Sequence, residues 1–350
     1  MARKILWASL ALAPLTLAID VLVHPGDVAL FVLAAASLVP LAWIIGESTE
    51  HAAEHTGAGI GGFLNASFGN APELIIALLA VADHLPNVVR GSLAGSVVSN
   101  ILLVLGVALA VGEERDLDRP SLLGQLGLVL FAVLLFLAPS VPGWSGNPDR
   151  HSLAVVTTPV AIALLLLYVA YQTVQLRRHR RVHAAQDDAD AEAPGVWSLP
   201  VALGALAVAT IATAVVSEIL VHSLEGFADA AGLSDFFIAT VIVAIVGNAA
   251  EHGGAVVIAR RGKMRLATEI AISSSAQVAL LVTPAVALLS WIVQPALPLA
   301  FRPVELAAMG GAAAAAAFVA WDGRSRRWEG VVLIAAYVAV AAGFLAAGDR

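Results

Sequence analysis

Long apolar segments separated by short polar turns recur along the whole chain. Each is about 20 residues long or longer, which is the length of α-helix needed to cross a hydrocarbon core about 30 Å thick. The pattern predicts an all-α polytopic membrane protein embedded in a lipid bilayer, with about eleven transmembrane helices, at residues 5–23, 27–55, 59–83, 88–111, 121–139, 152–176, 199–223, 235–260, 266–291, 299–321 and 329–347.

One long hydrophilic stretch, residues 177–198, interrupts this pattern and divides the chain. Five predicted helices precede it after the first one, and five follow it. Because an odd number of crossings reverses direction, two equivalent halves must be inserted in opposite orientations, as in many secondary transporters. The predicted organisation is an N-terminal helix, a first inverted five-helix repeat, a linker and a second repeat, at 1–26, 27–176, 177–198 and 199–350.

Basic residues indicate the orientation, because Lys and Arg accumulate in short cytoplasmic loops. An N-terminus inside the cell places basic clusters at 177–181, 260–265 and 324–327 in the cytoplasm, whereas the opposite loop 225–235 has three acids and no base. We expect the N-terminus and the 177–197 loop to be cytoplasmic. The Ala-rich chain with short loops is typical of a bacterial plasma membrane protein.

The first predicted helix has a second interpretation. Arg3 and Lys4 precede an apolar run in which residues 11–13 resemble a signal-peptide cleavage site. The run continues well past that site, which favours a retained helix.

Composition narrows the function further. The chain is 59% hydrophobic and 13% charged, with a mean hydropathy of +0.88, values that exclude an ordinary soluble domain. The net charge of −7 argues against a nucleic-acid partner, and the absence of Cys excludes disulfides, thiolate metal sites and Cys nucleophiles.

A short motif occurs twice, as GNAPE at 69–73 and GNAAE at 247–251. Each copy puts a carboxylate near the middle of an apolar span, where it costs roughly 2.5–3.5 kcal/mol. A single acid of this kind is often structural, hydrogen-bonded to a neighbouring helix. Two at equivalent positions favour a pair, Glu73 and Glu251, that face one another at the bilayer midplane.

The same motifs predict interrupted helices. Pro72 has no N–H and crowds the carbonyl of Phe68, while Gly69 and Gly247 loosen the same turn. Carbonyls freed in this way can bind a cation, and such breaks are tolerated in a bilayer only where they line a cavity or are buried in protein.

The helix after each motif adds polar side chains, in GSVVSN at 95–100 and ISSSAQ at 272–277. Residues four apart share a helix face, and small polar residues also serve as packing positions between membrane helices. Both interpretations, a cation or proton pathway and helix packing, stay open for Ser96, Ser99, Asn100, Ser273 and Gln277.

Carboxylates, amide oxygens and backbone carbonyls together make an oxygen-only site, which suits a hard cation. Ca2+ fits best because it accepts six to eight oxygens in irregular geometry; Mn2+, Na+ and K+ remain alternatives. Without the cation, desolvation and mutual repulsion favour protonated carboxylates, so the predicted function is exchange of Ca2+ for H+. The transported Ca2+ and H+ are the expected partners, and no cofactor is expected.

Four stretches, GNAPELIIA (69–77), GSVVSNILLVLG (95–106), GNAAEHGGA (247–255) and ISSSAQVALLVTP (272–284), resemble the Ca2+/H+ exchanger family of the cation/Ca2+ exchanger superfamily. The resemblance covers the second to fourth and seventh to ninth helices, and the outer helices only in pattern. It implies a ten-helix inverted-repeat core plus an extra N-terminal helix. It also implies cation ligands at Glu73 and Glu251, with Asn70 and Asn248 beside them.

Other charged positions lie near this motif. Glu50 is expected to lie deeper in the membrane than Glu54 and His55, which are read as a solvated helix end. Glu50 has a counterpart in Glu218, and the resemblance places a Glu in each of these helices, so both are candidate gating or proton-relay residues. His252 is either a proton shuttle or a packed, hydrogen-bonded histidine.

The sequence also contains a feature of a second function class, and a third class is compatible with its composition. His51-x-x-Glu54-His55 matches an inverted zinc-protease motif, but an intramembrane zinc hydrolase leaves the repeated Glu pair unexplained. A cation channel would favour pore loops contributed by an oligomer rather than internal pseudo-symmetry. A secondary transporter, not an enzyme, is therefore predicted.

Overall fold

The architecture is entirely helical in the part of the chain that the structure, a computed structural model, describes: residues 2–144, 149–183 and 197–348. Within these ranges there is no β-strand, only an isolated bridge between Asp116 and Arg324. The prediction of an all-α membrane fold is confirmed.

The described ranges contain seventeen α-helices: α1 (Ala2–Ser9), α2 (Leu12–Val23), α3 (Asp27–Gly69), α4 (Ala71–Ala82), α5 (Pro86–Val98), α6 (Leu105–Val111), α7 (Arg119–Trp144), α8 (Arg150–His183), α9 (Leu199–His222), α10 (Leu224–Ala231), α11 (Asp235–Phe237), α12 (Ala244–Gly247), α13 (Ala249–Arg260), α14 (Met264–Gln277), α15 (Thr283–Val293), α16 (Pro303–Val319) and α17 (Arg327–Ala347). Wider π-helical turns connect some of them, at Ser99–Val104, Ile238–Val243 and Val278–Val282, and a 3-10 turn lies at Ala320–Asp322.

Nine helical stretches in the described residues are long and apolar enough to cross a membrane. The number is ten when Leu224–Ala231 and Asp235–Gly247, bent by 110°, count as one span. Two predicted spans are not among the nine: 235–260, which is interrupted at Asn248, and 59–83, where the difference arises near residue 70. There the helical backbone of α3 runs to Gly69, and α4, with 12 residues, is shorter than a full span.

Contacts with residues at the two ends of α9 show in which direction the chain crosses the bundle in this region. His55 Nε2 lies 2.6 Å from the carbonyl oxygen of Trp197, just before α9 begins. Asp27 packs against Gly226 just after α9 ends, and Asp83 lies 3.6 Å from His222 at that same end. The chain therefore passes from the His222 end of the bundle to the Trp197 end, and back, between Asp27 and Asp83.

Close backbone contact fixes α5 against the second half of the chain. A Cβ on Gly95 would collide with the Thr240 carbonyl, and one on Gly91 would lie 2.7 Å from Thr240 Oγ1. In lipid, helices gain little from burying apolar surface against each other, so small residues that permit close van der Waals contact stabilise such a crossing. This contact positions Ser96 and Asn100, which follow Gly95 on the same helix, against the second half.

Gly95→Ala is expected to lower the stability of the folded protein by about 1–3 kcal/mol, because the new methyl group has no room beside Thr240. Gly204→Ala is the matched control, since a Cβ there meets open space. Thermal unfolding in detergent, followed by tryptophan fluorescence, measures the difference. Equal melting temperatures for the two variants would contradict the packing described.

Candidate cation site

Two helix breaks with the same geometry lie at the centre of the bundle. α3 ends at Gly69 and α4 begins at Ala71, so Asn70 forms the break, with φ −97° and ψ 16°. α12 and α13 are interrupted in the same way at Asn248, with φ −93° and ψ 8°. Pro72 lies in the first turn of α4, where a missing N–H costs nothing. The interruption thus falls at the asparagine in both copies, and proline follows it in only one.

Each break is followed by a carboxylate in the first turn of the next helix, Glu73 in α4 and Glu251 in α13. Helix N-termini favour negative charge. Glu73 is only 7% exposed and packs against the end of α12, where a Cβ on Gly247 would lie 3.4 Å from its Oε1. Glu251 is half-buried, and the two carboxylates are close enough to repel each other.

One oxygen of each carboxylate, Oε2 of Glu73 and Oε2 of Glu251, is buried and makes no hydrogen bond to the described residues. An unpaired buried acceptor costs roughly 1–3 kcal/mol, and more when it is charged. A bound cation or a proton at these oxygens removes that cost. The carboxylate oxygens of the pair are therefore suitable ligands for a hard cation, bound as the transported ion.

Amide side chains connect the two halves across the centre. Asn70 Nδ2 donates to Gln277 Oε1 at 2.7 Å. In the equivalent place, Asn100 Nδ2 donates to Asn248 Oδ1 at 3.3 Å, and Asn248 Nδ2 donates to Ser96 Oγ at 2.9 Å. Each asparagine at a break is thus held by a helix from the other half of the chain.

His252 and Ser274 complete this network around Asn100. His252 Nε2 donates to Asn100 Oδ1 at 2.9 Å, and Asn100 Nδ2 donates to Ser274 Oγ at 3.0 Å. Ser274 also contacts the carboxylate of Glu251. The sequence-based selection missed Ser274, because it favoured Ser273, which lies one turn before Gln277. The three consecutive serines at 273–275 are the signal that could have identified Ser274, because successive residues of a helix point in different directions.

Two of the predicted pathway serines donate their hydroxyls to backbone carbonyls of their own helices. Ser99 Oγ donates to the Ser96 carbonyl within its own helix, and Ser273 Oγ donates to the Ile270 carbonyl. Neither makes a hydrogen bond to Glu73 or Glu251. Their place in a cation or proton pathway stays a prediction.

The side chains of Glu50 and Glu218 are exposed, and they form no hydrogen bond or ion pair with the two carboxylates in the described structure. Their roles in gating or proton relay stay predictions. Glu47 and His51, one turn apart, are partly buried, with side chains 19% and 13% exposed. They turn towards α9, where His51 stacks on Trp197 at 4.6 Å. Glu50 lies between these two residues in the sequence and points to a different side of the helix.

A small cavity adjoins the carboxylate of Glu73. The polar side chains that line this cavity are those of Glu73, Ser92 and Ser96, all from the first half of the chain. The cavity walls are Glu73, Ile76, Ser92, Leu93, Ser96, Val243, Ala244 and Gly247.

The zinc-protease motif forms no metal site in the described residues, where no group of three or more His, Asp or Glu side chains converges as metal ligands would. His51 stacks on Trp197, and His55 contacts the Trp197 carbonyl. The motif is accounted for by packing at this helix end.

Comparisons with known proteins identify relatives of this chain among cation exchangers. The Ca2+/H+ antiporter ChaA of Bacillus subtilis is 39% identical over 333 residues, covering 92% of this chain and 93% of that protein. A structure described as native YfkE matches with a TM-score of 0.83 and 35% identity, over 98% of this chain and 99% of the other. The H+/Ca2+ exchanger CAX shares the fold, with a TM-score of 0.70 at 16% identity over 99% and 92% of the two chains.

The family model for the sodium/calcium exchanger protein matches residues 27–177 and 201–346, most of the chain. These relatives and structural neighbours are cation exchangers and not enzymes. The chain therefore belongs to the sodium/calcium exchanger protein family.

Proposed function

We propose that this protein is a Ca2+/H+ antiporter that binds its cargo between Glu73 and Glu251. The observation that carries the proposal is the pair itself: two carboxylates at equivalent helix breaks, close together, each with a buried oxygen that has no hydrogen-bond partner in the described structure. Relatives named as Ca2+/H+ antiporters support the choice of ions.

The asparagines at the two helix breaks, Asn70 and Asn248, supply further ligands. Asn248 Oδ1 accepts one hydrogen bond, from Asn100, and an amide oxygen has two lone pairs, so it keeps one for a cation. Asn70 holds the corresponding place in the first half. With the two carboxylates and water, these oxygens give Ca2+ the irregular, oxygen-rich shell that it prefers.

Charge balance explains the exchange. Two carboxylates at this depth are stable when they share a divalent cation or when protons neutralise them, because uncompensated charge in a low-dielectric site is expensive. Ca2+ and H+ therefore compete for the same oxygens, and the pair titrates jointly. Transport further requires that the site opens to one side of the membrane at a time, which for inverted-repeat transporters is a rocking of one part against the other.

Cation selectivity can be tested by adding Ca2+, Mn2+, Na+ or K+ to everted vesicles that carry a pH-sensitive dye and measuring the proton release that each cation causes. Ca2+ is expected to give the largest proton release. A larger response to any of the other three cations would replace the proposal with a different cation/H+ exchange.

Glu73→Gln and Glu251→Gln are each expected to abolish Ca2+-driven proton release. Each keeps one carbonyl oxygen but removes a charge and the group that takes the replacing proton. Insertion should not suffer, because neutralising a midplane acid lowers its cost in the bilayer. Ca2+-induced dequenching of a proton-gradient dye, at matched expression, is the measurement.

Glu225→Gln serves as the control, since Glu225 is exposed in α10, away from the pair. It should keep nearly the full rate. If either Gln variant of the pair retained the rate and apparent Ca2+ affinity of the unmodified protein, the paired-carboxylate site would be wrong.

The proposed location is a bacterial plasma membrane, with the Trp197 end in the cytoplasm because the basic loops lie there. The chain has no Cys, so single cysteines report on topology. A cysteine at Ala189, which lies outside the described residues, is expected to resist an impermeant thiol reagent added to intact cells. A cysteine at Ala231, exposed near the His222 end, is expected to react. The reverse labelling pattern would show that the chain has the opposite orientation in the membrane.

A further inference from the structure

A second polar cluster lies inside the helix bundle, apart from the two carboxylates. At its centre is Glu269 of α14, whose Oε1 accepts a 3.2 Å hydrogen bond from the hydroxyl of Ser121 on α7. Gln125 Nε2 donates to the same hydroxyl oxygen at 3.1 Å, and Tyr171 of α8 lies beside both Glu269 and Gln125. A carboxylate in a membrane-spanning helix carries a cost, and the cation site does not use this one.

Glu269 stands on a partly exposed stripe of α14. Glu269, Ser273 and Gln277 follow one another at intervals of four residues and are half-buried, whereas residues 267–268, 271–272 and 274–276 are buried. Residues at this spacing share a helix face, and eight residues at 1.5 Å each span about 12 Å. The stripe leads from the first turns of α14, at the Trp197 end, to Gln277, which holds Asn70 beside the cation site.

The neighbours of Glu269 favour a proton over a metal ion as the species that it handles. Ca2+ takes six to eight oxygens and usually more than one carboxylate. Here the Ser121 hydroxyl already donates to Glu269 and accepts from Gln125, so its hydrogen-bonding capacity is largely used. A carboxylate among hydroxyl groups, on a partly exposed face, is instead suited to accept and release protons.

Few other charges surround this carboxylate. Asp118, at the start of α7, accepts from the backbone N–H of Ser121, and Tyr171 faces it from α8. Arg265 lies one turn earlier on α14 and donates to the Asp116 carbonyl, while Arg260 ends α13. Glu269 is therefore the acid that the described structure places on the stripe between this end of the bundle and the cation site.

We propose that Glu269 is a relay residue that passes protons between the aqueous phase at the Trp197 end and the Glu73–Glu251 pair. The proposal rests on the Ca2+/H+ exchange proposed above. When Ca2+ displaces a proton from the pair, water along the stripe carries it to the Glu269 carboxylate, which becomes a carboxylic acid and then releases the proton to the aqueous phase. Each transfer breaks one O–H bond and forms another, and the reverse half of the cycle runs through the same groups.

The test uses full-length protein in proteoliposomes, with a Ca2+ gradient and with HEPES at low or high concentration on both sides of the membrane. Glu269→Gln keeps an oxygen that accepts from Ser121 but cannot carry a proton. At low buffer its maximal rate is expected to fall about tenfold, since one acid–base group on the proton route is lost. High buffer should restore the rate by carrying protons in its place, with the KM for Ca2+ unchanged throughout.

Asp116→Asn is the matched control, because it removes an exposed carboxylate at the same end of the bundle but off the stripe. Its rate, like that of the unmodified protein, should not depend on buffer concentration. If Glu269→Gln does not fold, as judged by its melting temperature, Glu269→Ser carries the same expectation.

Three results would overturn the relay: an unchanged rate at low buffer, a loss that buffer does not restore, or a raised KM for Ca2+, which would make Glu269 a cation-capture residue. Glu73→Gln, measured in parallel, separates this failure from failure of the proposed function. In this assay, activity of Glu73→Gln or absence of exchange by the unmodified protein would count against the antiport proposal and not against the relay alone.

Discussion

The high cost of uncompensated charge in a lipid bilayer governs this structure. Glu73 is buried and Glu251 is half-buried, and each keeps an oxygen without a hydrogen-bond partner in the described residues. No hydrogen-bond donor of the described residues reaches these two oxygens. The site is thus poised for an exchangeable positive charge, and the surrounding helices are arranged around that requirement.

The second constraint is that interrupted helices survive in a membrane only when neighbouring protein satisfies them. Both breaks occur at asparagine, and each asparagine reaches across to a helix of the other half, Asn70 to Gln277 and Asn248 to Asn100. Close contact at Gly95 keeps α5 near enough for this pairing. Helix packing and the proposed cation site therefore depend on each other, because the amide side chains that connect the two halves lie beside the two carboxylates.

Much of this could be predicted from the sequence, because hydrophobic length fixes membrane helices strongly and the repeated GNAPE and GNAAE motifs mark the centre. The packing of Glu47 and His51 could not. Whether a residue near a helix end faces the bundle or the surroundings depends on helix rotation, and the structure turns Glu47 and His51 inwards. The contact between Ser274 and Asn100 also depends on how two helices from different halves meet, which the spacing along one helix does not define.

The π-helical turns were equally invisible in the sequence. One begins at Ser99, immediately before Asn100, and another begins at Val278, immediately after Gln277. Such turns have no strong residue signature but are frequent at functional sites. They widen the helix where the amide side chains must project, which residue propensity alone does not reveal.

The cross-pairing of the asparagines has a consequence for ancestry. Because each break is completed by a helix from the opposite half, neither half of this chain carries a finished ion-binding shell by itself. An ancestor of half this length would have worked only as an antiparallel pair, which requires one polypeptide to insert into the membrane in both directions. Fusion of two copies would have removed that need and freed the loop charges to diverge, so that each half came to favour a single orientation.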